Sequence, residues 1–514
     1  MPTKITRKDF KKLEYEVKKN VGYIKKDTIF AVDLLAMGSY QRVHRIVLVY
    51  KQLANKENKR NFIYMETLKV KKGLNIAISG IATQETAAAR KPQTVALVPD
   101  DFHGLTPKVA VKEGDAVKVG SVLFFDKKHP ELKVTSPVSG TVAEVKRGDR
   151  RKLLYVSVNV ADEQAYEQFE TGSLTPENLR NVVFGSGFGA FIMQRPYGVV
   201  ANPEVTPNNI FVSAFDTAPL AADYNYVLAG READVQAGLS ALAKLTSGKL
   251  YYTVNAETSA ALRNMKDVEV NEINGPHPAG LTGTQINMLC PINKGEVVWT
   301  MNVQDVALLG QFLRTGKVDF TKTVAVAGPE VKAPKYVKAV VGTPVADLTD
   351  GNLNNDKKLR VINGNVLTGT PCCEVAFLNP LKNEISVIAE GDTEDEMFGW
   401  IAPRFNMFSN SSLFTAKLAK CLNKNKTFKF DARVLGGLRA FIASNEIERV
   451  FPLDIMPEQL VKAMIAKNLD KMEQLGAYEV VPEDLALCEY VCTSKIEIQR
   501  IVREALDYMR GELE

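Results

Sequence analysis

The strongest constraint on the fold lies between residues 68 and 160, where short apolar runs are cut at close intervals by glycine and proline. Runs at 95–98, 109–111, 122–125, 133–135, 142–145 and 154–158 read as strands. The breaks fall at Gly114-Asp115, Gly120, Pro130, Ser139-Gly140 and Gly148-Asp149. Glycine enters tight turns at no steric cost, and many short strands with regular turns imply a small β barrel or sandwich. A single barrel cannot use up 514 residues, so roughly three or four domains are expected.

Two phrases narrow the barrel. Val111-Lys112-Glu113-Gly114-Asp115-Ala116-Val117-Lys118-Val119-Gly120 and Ser136-Pro137-Val138-Ser139-Gly140-Thr141-Val142 resemble the two halves of a biotinyl/lipoyl-like domain, which implies a barrel-sandwich hybrid. A carrier of that kind displays a lysine on a tight hairpin tip. Lys127 and Lys128 stand near that place, but the loop continues through His129-Pro130-Glu131. A structural module is therefore expected, with a lipoyl- or biotin-type carrier as an alternative.

Beyond residue 175 the pattern changes to strand–helix alternation: a strand at 210–215, a helix at 233–245, a strand at 250–254, a helix at 256–264 and a strand at 268–273. This argues for an α/β domain with a largely parallel sheet. Gly185-Ser186-Gly187-Phe188-Gly189 lacks the preceding strand and the spacing of a dinucleotide fingerprint, and Arg195-Pro196 interrupts the stretch after it. It reads as a packing loop. Further strands are expected at 323–326, 336–341, 359–362 and 384–389. Past Gly391 the chain is expected to turn helical, with one helix over 457–475 closed by Gly476. A last helix to Arg510 would be opened by the capping box Ser494-Lys495-Ile496-Glu497.

Charge and cysteine limit the function classes. The net charge of +5 comes from residues 1–64, which hold 15 Lys+Arg against 6 Asp+Glu. A basic tail of this kind suits contact with acidic lipid or nucleic acid, yet an extension upstream of a start at Met65 is the simpler expectation. No run reaches the roughly 20 apolar residues of a membrane helix, and no secretory signal is visible. Six cysteines, Cys290, Cys372, Cys373, Cys421, Cys488 and Cys492, are too sparse for a disulfide framework. Cys488 and Cys492 fall one helical turn apart, but an iron–sulfur cubane or a zinc site needs more ligands than two. Packed thiols are expected.

Three further phrases resemble one family: Gly187-Phe188-Gly189-Ala190-Phe191-Ile192-Met193-Gln194-Arg195-Pro196-Tyr197, the segment from Ile210 to Asp223, and Gly275-Pro276-His277-Pro278-Ala279-Gly280-Leu281-Thr282-Gly283-Thr284-Gln285-Ile286 with Val298-Trp299-Thr300-Met301-Asn302 after it. They are similar to the A subunit of the sodium-translocating NADH:quinone reductases, from about Met65 to the C-terminus. The resemblance implies a multidomain α/β and β chain. Its parts would be a basic extension at 1–64, a barrel-sandwich hybrid at 65–170, a Rossmann-like α/β domain at 171–330, a β-grasp (SLBB-like) domain at 331–400 and a C-terminal helical region at 401–514. It also implies a peripheral subunit on the cytoplasmic face of the membrane, without a catalytic role of its own. Its partners would be subunits B to F of a six-subunit complex that passes electrons from NADH to quinone and exports sodium. The complex uses NADH, FAD, FMN, riboflavin, a 2Fe-2S centre and quinone in or via the other subunits, and this chain would hold no cofactor or metal. Nucleic acid is not an expected partner, and membrane contact would come through the other subunits. The family is related in fold to the flavin-binding subunits of complex I and Rnf, so a flavin-holding NADH dehydrogenase subunit is the enzymatic alternative.

The same resemblance makes Gly275, His277, Gly280 and Gly283 candidates for a quinone site or a subunit interface. His277 reads either as a hydrogen-bond donor to a quinone oxygen or as a turn histidine between Pro276 and Pro278. Many family members carry histidine where Gln285 and Asn287 stand, so those positions are not an obligatory proton relay here.

Overall fold

The computed structural model describes residues 67–172, 175–354, 356–372, 376–391, 407–408, 423 and 426–513. The basic extension, Met65, Cys373, Cys421 and most of 392–425 lie outside these residues.

Two antiparallel sheets build the barrel. One orders Thr94–Leu97, Leu153–Val160, Gly140–Arg147 and Ala116–Val117; the other orders Pro107–Val109, Val122–Asp126 and Lys133–Thr135. The strand pattern read from the sequence is thus present to within a few residues. Gly140 has a specific reason: a Cβ there would lie 1.8 Å from the Asn159 carbonyl oxygen across the ladder. Lys127 and Lys128 are exposed in the 127–132 loop between two paired strands.

The α/β domain holds a seven-stranded sheet in the order Thr67–Lys69, Glu269–Asn274, Leu250–Val254, Asn209–Ser213, Val298–Thr300, Met193–Arg195 and Val199–Val200. The first five are mutually parallel and the last two antiparallel. Fully buried strands such as Leu250–Val254 suit a sheet covered on both faces. A third, mixed sheet orders Thr370–Pro371, Leu359–Asn363, Glu384–Ala389, Thr321–Ala327, Lys335–Val340 and Thr83–Ala88. The strands at 67–69 and 83–88 precede the barrel in sequence, yet they complete the edges of the other two sheets.

Local chemistry corrects three expectations. The helix expected over 256–264 shrinks to Ala260–Arg263. The Asn255 and Thr258 side chains bond the backbone of a turn ahead of it, and Ser259 caps what remains. The helix expected over 457–475 is two, Pro457–Ile465 and Leu469–Gln474. Lys467 takes a left-handed φ of 49°, and Asn468 caps the second helix through the Lys471 N–H. Ser494 does not cap the last helix, because its hydroxyl donates to the Ala440 carbonyl. The helix runs Ile498–Leu513, and Glu489 Oε2 accepts from the Gln499 N–H at 2.7 Å. The described residues 426–446 contain no helix. The expected helical start past Gly391 falls mostly outside the described residues; the helices described beyond residue 446 pack around a core that includes Leu460, Met464, Leu485 and Leu506.

Candidate functional site

In an open parallel sheet, ligands collect at the carboxyl ends of two neighbouring strands whose connections run off in opposite directions. Here the chain leaves Asn209–Ser213 toward Leu250–Val254 on one side, while Val298–Thr300 lies on the other. A cleft of about 370 Å³ sits at that point. Ser213, Phe215 and Asp216 follow the first strand into it, and Thr300, Met301 and Asn302 follow the second. The third sheet closes one wall with Lys382, Asn383 and Glu384, and the C-terminal region closes another with Val481, Glu483 and Gln499.

The predicted site residues are divided by this geometry. Gly280 lines the cleft with Leu281 and Thr282 at the start of the Thr282–Leu289 helix. Its N–H donates to Thr217 Oγ1 at 2.9 Å. Gly283, Gly275 and His277 are not among the lining residues. Gly283 is required by packing, since a Cβ would stand 2.0 Å from Asp484 Oδ1. Gly275 similarly faces the Val70 carbonyl at 2.6 Å. His277 is buried behind the cleft. Its Nδ1 lies 3.1 Å from Thr217 Oγ1, its N–H donates to Asn75, and its carbonyl accepts from Leu74. Burial holds its pKa below the usual histidine value against the opposing Asp216 charge.

Gln285 and Asn287 both have structural partners. Gln285 Nε2 donates to Ser213 Oγ at 2.8 Å, tying the helix to the end of the switch-point strand. Asn287 Nδ2 donates to Glu479, and its Oδ1 accepts from the Asp454 N–H, joining the α/β domain to the C-terminal region. The glycine loop packs the barrel against the α/β domain. Gly185 ends the helix Pro176–Gly185 rather than following a strand. A Cβ on Gly187 would meet Thr135 Oγ1 at 2.5 Å, and Phe188 stacks on Phe312.

Three of the charged residues lining the cleft, Arg195, Glu483 and Asp305, are matched within the protein. Arg195 Nη1 bonds Asp484 at 2.6 Å, and Nη2 bonds Glu483 at 3.1 Å. Burial opposes the Arg195 charge, but these carboxylates outweigh it and hold its pKa above the usual value. Lys322 pairs with Asp305 at 2.7 Å, both buried, and donates to the Pro380 carbonyl. Tyr224 Oη accepts from Asn302 and Asn383, and burial pushes its pKa up. The sequence reading missed Asp216, Lys382, Asn383 and Glu384 as site residues. Only the strand–helix order, which locates the switch point, could have pointed to the first of them.

Cys488 and Cys492 are both buried in the C-terminal core, and burial pushes the Cys488 thiol up, away from the thiolate form that metals require. Among the described residues no group of three or more His, Cys, Asp or Glu side chains is placed to hold a metal.

Three family models match the chain in succession. Residues 68–161 match the NqrA N-terminal barrel-sandwich hybrid domain, 174–318 the NqrA second alpha/beta domain, and 323–374 the NQRA C-terminal domain. Among curated proteins, the A subunit of the Na(+)-translocating NADH-quinone reductase of Neisseria meningitidis serogroup B is 37% identical over 451 residues, covering 87% of this chain and 100% of that protein. Its counterpart in Pasteurella multocida is 38% identical, covering 86% of this chain and 99% of that protein. That of Rhodopirellula baltica is 37% identical, covering 86% and 98%. The chain therefore belongs to the NqrA family, the A subunits of the Na(+)-translocating NADH-quinone reductases.

Proposed function

We propose that this chain is a peripheral subunit of a sodium-pumping NADH:quinone reductase. It docks from the cytoplasmic face onto the other subunits, B to F, and carries no catalytic step alone. The flavins, the 2Fe-2S centre and the NADH site belong to those partners, and the switch-point cleft contributes one wall to quinone binding. Gly280 lies at that wall, while Gly275, His277 and Gly283 hold the segment around it. On this reading the α/β domain is Rossmann-like and the third sheet β-grasp (SLBB-like). The observation that carries the reading is the likeness to NqrA relatives over essentially their whole length. No helix among the described residues is long and apolar enough to cross a membrane.

Affinity purification of the chain from its native membranes in mild detergent tests this. The expected eluate contains several subunits and reduces quinone with NADH faster when sodium is added. A lone, colourless and inactive chain under conditions that preserve complexes would refute the assignment.

A further inference from the structure

The cleft contains one buried acid that the fold leaves half-used. Glu384 opens the strand Glu384–Ala389. Ile385 and Val387 of that strand enter the core of the third sheet, so period-two alternation turns Glu384 to the opposite face, where it lines the cleft. Glu384 is 6% exposed. Asn365 bonds its carboxyl, but Oε2 has no partner among the described residues. Asn383 Oδ1 beside it is likewise unpartnered, while its Nδ2 donates to Tyr224 Oη.

Two charges bear on Glu384 from the packed elements. Asp216 comes from the turn after Asn209–Ser213, and Lys382 from the loop before its own strand. Arg195 is engaged by Asp484 and Glu483, and Lys322 by Asp305. Tyr224 and Tyr336, also nearby, are phenols whose pKa values burial raises further. Burial and the Asp216 charge together push the Glu384 carboxyl up to about 8, against Lys382 and the Asn365 bond. Near neutral pH the group is therefore an uncharged acid whose O–H is a donor without an acceptor, and leaving such a group unpaired is costly. Around it stand apolar walls from Phe191, Met193, Phe215, Met301 and Leu381.

We propose that the switch-point cleft binds an uncharged flat ring bearing a carbonyl oxygen, and that Glu384 donates the hydrogen bond that holds this oxygen. The inference deepens the preceding reading by assigning a donor to the same cleft, and rests on it only for naming quinone as one such ring. A flavin-type ring presents the same carbonyl chemistry. Binding is full while Glu384 keeps its proton. As pH rises past about 8 the carboxylate repels the carbonyl, and affinity falls up to about tenfold per pH unit.

The full chain is titrated from pH 6.5 to 9.5 with a short-chain benzoquinone in one arm and lumiflavin in the other. The expected result is binding of at least one ring, with affinity about tenfold weaker at pH 9.5 than at pH 8. Glu384→Gln, which keeps an N–H donor but does not titrate, should bind at pH 6.5 much as the wild type does, with no pH dependence. Glu384→Ala should bind roughly tenfold more weakly at pH 6.5, with circular dichroism confirming its fold. Quinone binding that is flat with pH would overturn the role of Glu384 while leaving the quinone wall standing. Lumiflavin binding with the expected pH profile and no quinone binding would support this inference and remove the quinone wall. No binding in either arm would overturn the inference, with membership of the complex still read by co-purification.

Discussion

At the scale of single residues, long-range partners decide what the local sequence could not. Arg195 looks like a mere interruption before a proline, yet it is 2% exposed and bonds Asp484, 289 positions away. Removing one partner of a buried pair strands the other charge, which costs about 3–5 kcal/mol. Arg195→Ala should therefore lower the unfolding free energy by that amount, read as a lower urea midpoint at an unchanged slope. The double change Arg195→Met with Asp484→Leu should cost less than the two single changes together, because the fully buried charge is then gone and only the half-exposed Glu483 loses its partner. Equal, additive losses in a denaturation series would show that the pair contributes nothing as a pair. The same kind of distance hides a structural reason for glycine at position 283. Its glycine is demanded by the Asp484 carboxylate, and nothing near position 283 in the sequence reveals that neighbour. Gly280, by contrast, does reach the cleft.

At the scale of elements, periodicity and turn chemistry made most strands readable, because alternation and glycine breaks are local signals. What failed was partner choice and interruption. Thr67–Lys69 and Thr83–Ala88 read as part of the barrel region, and only tertiary pairing sends them to two other sheets. The apolar stripe of 457–475 continues across a break made by one left-handed lysine and one asparagine cap. Helix crossing was equally hidden. Glu232–Leu242 and Val303–Thr315 approach at a reciprocal pair of glycines. A Cβ on Gly238 would lie 2.1 Å from the Val306 carbonyl oxygen, and one on Gly310 would lie 1.8 Å from that of Asp234. Both obstacles are backbone, so the helices themselves must separate to admit a side chain. Gly310→Ala should destabilise by about 1–3 kcal/mol despite the better helix propensity of alanine. An unchanged or raised melting temperature would mean that the crossing is loose.

At the scale of the molecule, the barrel and the α/β domain do not own separate interiors. One continuous core runs from Val95 and Val158 in the barrel, through Phe188 and Phe320, to Trp299 and Leu242 in the α/β domain. Phe188 is the joint: its ring packs on Phe191, Phe312 and Phe320, while the glycine before it lies against Thr135 of the barrel. The third sheet keeps its own smaller core around Val324, Val337 and Val387. Shared apolar burial couples unfolding, because opening one part exposes the face of the other. Calorimetry should therefore find the barrel and the α/β domain melting in a single transition. Phe188→Ala, which leaves a cavity at the joint, should destabilise the whole unit by about 3–5 kcal/mol and so lower that single transition in temperature rather than split it. Hydrogen exchange gives the complementary reading: amides of Gly140–Arg147 and of Leu250–Val254 should lose protection together in the variant. If the barrel amides kept their protection while those of the α/β sheet lost theirs, the common core would be a contact between two independently stable domains.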